Sequence, residues 1–132
     1  ALRDRLLARI AGGLAGVHVN GGLEHRLAGN LNLSFDGIEG EALLLALRDV
    51  AVSSGSACSS ASIEPSHVLR AMNIPYTAAH GAIRFSFSRD NTDADVDAVL
   101  EAVPPIIAKL REISPFWGEA ESGQGAFKPA YA

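Results

Sequence analysis

Sulfur and primary amines are scarce in this chain of 132 residues. It has one cysteine, Cys58, one methionine, and only two lysines, Lys109 and Lys128. A lone cysteine cannot close an internal disulfide, so a reducing compartment, the cytoplasm, is the expected setting. Long apolar runs are missing too. The longest, Ala42 to Leu47, falls far short of the roughly 20 residues needed to span a bilayer. No signal-peptide pattern is present. Positive charge is not in excess: the formal net charge is −4 and the pI is near 5.5, which argues against nucleic acid or an anionic membrane as partner. The four histidines, His18, His25, His67 and His80, lack metal-ligand spacing. A helix start signal is also lacking. "ALRDRLLARIAG" places Leu2, Leu6 and Ile10 at helical spacing with no capping residue before them. A chain that opens inside a helical pattern is expected to be a piece of a longer protein.

What remains is rich in material for a core. Hydrophobic residues make up 48% of the chain, enough for one domain with one core. After the first helix, stopped at Gly12 and Gly13, "VHVN" reads as a short strand closed by Asn20-Gly21-Gly22. "NLNLSF" alternates, with Leu31, Leu33 and Phe35 on one face and Asn32 and Ser34 on the other. "EGEALLLALRD" predicts a helix buried on more than one side, and "VAVSS" a third strand. "EPSHVLRAMN" predicts a short helix with Pro65 in its first turn and Asn73 as its C-terminal cap. "AIRFSFSR" is a fourth strand, with Ile83, Phe85 and Phe87 opposed to Arg84, Ser86 and Ser88. The last helix is capped by Thr92 and carries Pro104-Pro105, which should kink or divide it. Short strands and helices in this order predict an α+β domain, a small antiparallel or mixed sheet covered by helices.

Two positions stand out chemically. Cys58 lies in "SSGSACSS", where small polar neighbours offer little apolar surface to bury it. The alternatives are a small buried residue or a reactive thiol displayed on a loop, able to travel to a substrate. No group of known reach lowers its pKa, although His67 and Arg70 follow on the next helix. Arg84 is either a solvated strand arginine or a two-pronged carboxylate receptor within a polar face shared with Ser86 and Ser88.

"VAVSSGSACSSASIEPSHVLRAM" followed by "AIRFSFSR" closely resembles the C-terminal part of pyridoxal-phosphate-dependent cysteine desulfurases, in the subclass with a long cysteine loop. The resemblance extends from "NGGLEHRLAGNLNLSFDGIEGEALLLALRD" to "LREISPFW". It implies that residues 1–118 form the C-terminal small domain of a fold-type I pyridoxal-phosphate enzyme. Residues 119–132 lack periodicity and read as a flexible tail. It implies that Cys58 is the nucleophile that takes sulfur from L-cysteine as a persulfide, leaving L-alanine, and that Arg84 grips the substrate carboxylate. The sulfur would pass to an iron–sulfur scaffold or another acceptor protein, and the whole enzyme would be a homodimer.

The same resemblance exposes a gap. Such enzymes hold pyridoxal phosphate on a lysine of the large domain, and neither Lys109 nor Lys128 has that context. No cofactor-binding residue is therefore expected in this chain, which alone would be inactive. An isolated persulfide carrier or scaffold-docking module is the alternative. In that setting Cys58 could be one shared ligand of a transient iron–sulfur cluster, which a single thiolate cannot hold. Selenocysteine lyase activity would use the same residues.

Overall fold

A computed structural model describes residues 1–54, 64–115 and 117. The elements run α1 (Leu2–Gly13), β1 (Val17–Val19), β2 (Asn30–Phe35), α2 (Gly40–Ala46), α3 (His67–Ala71), α4 (Tyr76–His80), β3 (Ala82–Ser86) and α5 (Asp93–Ile113). The strands form one antiparallel sheet in the order β1-β2-β3. The fold is α+β, as the pattern of elements predicts.

Alternation along the strands builds the core. Leu31, Leu33 and Phe35 of β2 and Ile83 and Phe85 of β3 turn to one face and are buried there. Leu6 and Ile10 of α1, Leu43 and Leu47 at α2, and Val96, Val103 and Ile107 of α5 close over them. Each such side chain contributes about 1.5–3 kcal/mol on burial, so this face fixes the register of the sheet. A one-residue slip would turn every one of these side chains to the opposite side.

Thr92 begins α5 with a reciprocal capping box. Its side chain accepts from the Asp95 amide, and Asp95 accepts from the Thr92 amide in return. The helix then runs unbroken through Pro104 and Pro105, so the prolines do not divide it. Proline deletes backbone bonds to the preceding turn, but Val103 and Ile107 on either side of the pair are fully buried. Tertiary packing holds the segment helical where local propensity opposes it.

Three other local expectations are corrected. "VAVSS" is no strand: it contributes a single antiparallel bridge, Ser53 to Arg84. Pro65 lies outside α3, which is capped instead by the Ser66 side chain accepting from the Val68 amide. In α2, Leu43 is buried but Leu45 is 74% exposed, so that helix buries one side. Asn73, just beyond α3, adopts φ 58°, the left-handed turn that ends a helix and that asparagine tolerates.

Candidate functional site

The sheet face opposite the core carries most of its polar side chains. On β2 it presents Asn30, Asn32 and Ser34; on β3, Ala82, Arg84 and Ser86. The register pairs them as Asn30 with Ser86, Asn32 with Arg84, and Ser34 with Ala82. Asn20, one residue past β1, donates its amide to the Asn32 carbonyl at 3.0 Å. Asn20, Asn32 and Arg84 thus form one row across the sheet, and Ser53 extends it.

The backbone of Arg84 is fixed from that outer side. Its amide donates to the Ser53 carbonyl at 2.7 Å, and its carbonyl accepts from the Ser53 amide at 3.2 Å. In an antiparallel strand both groups of one residue point the same way. Arg84 therefore spends them on Ser53 and faces Asn32 as a non-hydrogen-bonded pair, the arrangement that brings opposite side chains closest. The Arg84 side chain is exposed, and among the described residues no carboxylate pairs with its guanidinium. The other arginine near the cysteine segment differs: Arg70 pairs with Glu64 at 3.1 Å.

Behind Arg84 lies a polar network that strand alternation did not announce. Ser34 is completely buried although it sits on the polar face of β2. Its hydroxyl donates to the Ala78 carbonyl of α4 at 2.6 Å and accepts from Asn20 Nδ2 at 2.7 Å. Asn20 Nδ2 also donates to Asn32 Oδ1 at 2.8 Å. Arg26 clasps the loop beyond β1 through the carbonyls of Gly22 and Asn20. The signal missed in the sequence was the short helix "YTAAH", which covers this face locally and brings its carbonyl to Ser34.

Cys58 lies outside the described residues, as do Lys128 and the tail over 119–132. The sequence brings Cys58 five positions beyond Ser53, the residue bridged to Arg84. His67 is exposed at the start of α3. Lys109 is exposed on α5. His18 bonds Asp36 at 2.8 Å, and His80 stacks edge-on against Tyr76 at 4.2 Å. Among the described residues no three His, Cys, Asp or Glu side chains are grouped to hold a metal ion. Nor is any helix among them long and apolar enough to cross a membrane.

Comparison with known proteins adds context. The family model described as aminotransferase class-V matches residues 1–99. The chain is 59% identical to a cysteine desulfurase of Gluconacetobacter diazotrophicus, over 100% of this chain and 34% of that protein. It is 52% identical to the cysteine desulfurase NifS of Azotobacter vinelandii, over 99% of this chain and 34% of that protein. It therefore spans about a third of the length of these curated relatives. Among solved structures, the NifS-like protein of Rickettsia africae superposes with a TM-score of 0.67 at 25% identity, covering 81% of this chain and 27% of that one. Another NifS-like protein gives 0.60 at 30% identity, covering 85% and 26%.

Proposed function

Since the chain belongs to the aminotransferase class-V family, we propose that it is the sulfur-handling part of a cysteine desulfurase, converting L-cysteine to L-alanine. Residues 1–118 would be the small domain and residues 119–132 a tail. Arg84 binds the substrate carboxylate, its planar fork matching the two oxygens. The Cys58 thiolate attacks the substrate sulfur. The carbon–sulfur bond breaks, its electron pair stays with the carbon and takes up a proton, and a persulfide remains on Cys58. Substrate thiol and enzyme thiol become alanine and persulfide, with no external oxidant. The persulfide then passes to an acceptor protein for iron–sulfur cluster assembly, in a cytoplasmic homodimer. A transient cluster would need ligands beyond Cys58.

The observation that carries this reading is the setting of Arg84. It is an exposed guanidinium without an ion-pair partner among the described residues, on a strand whose outer edge holds Ser53 at the root of the Cys58 segment. The identities of 59% and 52% to proteins named cysteine desulfurase support it.

Pyridoxal phosphate, implied by the family, requires a lysine shielded from water beside a phosphate cradle. Lys109 is exposed on a helix surface. The described residues do not fit the cofactor, whose chemistry falls to the rest of the enzyme.

The test is made on the full-length enzyme. Cys58→Ser is expected to abolish persulfide formation, read by mass spectrometry, and release of alanine from cysteine. Arg84→Lys is expected to raise the KM for cysteine about tenfold or more, as the two-pronged bond is lost. Persulfide appearing at full yield in the Cys58→Ser enzyme would refute the assignment.

A further inference from the structure

We infer that Asn32, directly opposite Arg84 on the neighbouring strand, is a second donor to the substrate carboxylate. The inference rests on the reading that Arg84 grips that carboxylate.

The argument follows protons through the buried network. The Ala78 carbonyl can only accept, so the Ser34 hydroxyl spends its one hydrogen there. Toward Asn20, Ser34 can then only accept, so Asn20 must face it with its NH2. The second hydrogen of that NH2 goes to Asn32, which must present Oδ1. The orientation of the Asn32 amide is therefore dictated by Ala78, three hydrogen bonds away, and its own NH2 is turned away from Asn20. Asn20 is itself 5% exposed, so turning its amide over would leave the buried Ser34 hydroxyl without its donor.

The freed NH2 of Asn32 finds no acceptor among the described residues. Its neighbour across the strands is Arg84, in the close, non-hydrogen-bonded kind of pair. Arg84 has only donors to offer. Two adjacent groups that can only donate do not satisfy each other; together they suit an anion with several lone pairs. A carboxylate fits, taking the fork of Arg84 on one side and the amide of Asn32 on the other. Asn20 and Ser34 are positioning residues, acting only through the orientation of Asn32.

The test uses full-length enzyme and two probes, L-alanine and ethylamine. L-alanine keeps the amino-acid carboxylate but has no sulfur to transfer; ethylamine is its decarboxylated counterpart. Dissociation constants are measured by calorimetric titration or competition, with melting temperatures recorded alongside. Asn32→Ala is expected to weaken L-alanine binding about tenfold or more and to leave ethylamine unchanged. Asn32→Asp keeps the acceptor that Asn20 needs and replaces the donor with a negative oxygen, so its loss for L-alanine is expected to be larger. If Arg84→Lys weakens L-alanine and neither Asn32 variant does, the role of Asn32 is wrong while the Arg84 grip stands. Equal losses for both probes would reveal a merely structural residue and overturn it as well. If Arg84→Lys leaves L-alanine binding intact, the grip itself is wrong and Asn32 falls with it.

Discussion

Replacing Ser34 with alanine removes a single oxygen from a fully buried position, and two partners lose their bond at once. The Ala78 carbonyl loses a donor at 2.6 Å and Asn20 loses an acceptor at 2.7 Å. A buried polar group left unpaired costs about 1–3 kcal/mol. The void is smaller than a water molecule, so solvent cannot restore the bonds. Alanine recovers part of the loss, because the hydroxyl no longer has to be desolvated. The net expectation is about 2–4 kcal/mol. With a urea slope of about 2 kcal/mol/M, the unfolding midpoint should fall by about 1–2 M at unchanged slope. Ser86→Ala, on the exposed side of the neighbouring strand, is the control and should stay within about 0.5 kcal/mol of the parent. Coincident midpoints for the Ser34 and Ser86 variants would show that the relay from α4 to Asn20 carries no stability, and would remove the reason for the Asn32 orientation.

Other outcomes follow from the same geometry. Arg111 is 7% exposed, donates to the Asp36 and Gly16 carbonyls, and lies 3.7 Å from the ring of Trp117. Arg111→Leu should cost about 3 kcal/mol and red-shift the emission of Trp117, the only tryptophan. Thr92→Ala should cost about 1 kcal/mol in thermal unfolding by opening the capping box. Asp95 is held below the ordinary carboxylate value of 3.8, first by the Thr92 backbone amide and then by the Asn91 side chain. Its contribution is therefore present above the unfolded value of 3.8 and is lost as pH falls through its lowered value, and Asp95→Asn should flatten that part of an acid titration. A Cβ on Gly29 would meet the Phe87 carbonyl oxygen at 2.3 Å, so Gly29→Ala should lower the melting midpoint by the equivalent of about 1–3 kcal/mol.

The elements that were legible in the sequence were those whose cause is local. Leu31, Leu33 and Phe35 announce their face by alternation alone, Thr92 announces α5, and Asn73 announces its left-handed turn. Ser34 was not legible, because its partner Ala78 stands 44 residues away and a serine on a polar face ordinarily meets water. The continuity of α5 through Pro104 and Pro105 was hidden for the same reason: the packing that overrules proline comes from other elements. "VAVSS" has the composition of a strand, but among the described residues only Ser53 makes a strand bridge. Of the site, Arg84 could be singled out by its chemistry and its face. The orientation of Asn32 required knowing which groups meet across the sheet.

The two-bond bridge between Ser53 and Arg84 has a consequence for length. Ser53, five positions before Cys58 in the sequence, is pinned beside the arginine. Five residues of backbone extend at most about 17 Å, so Cys58 can lie no farther than that from Ser53. Each residue inserted between Ser53 and Cys58 would add about 3.5 Å to that limit. If the chain acts as proposed, the distance over which sulfur can be handed on is set by this cord length, which can be changed while the anchoring strand is left untouched.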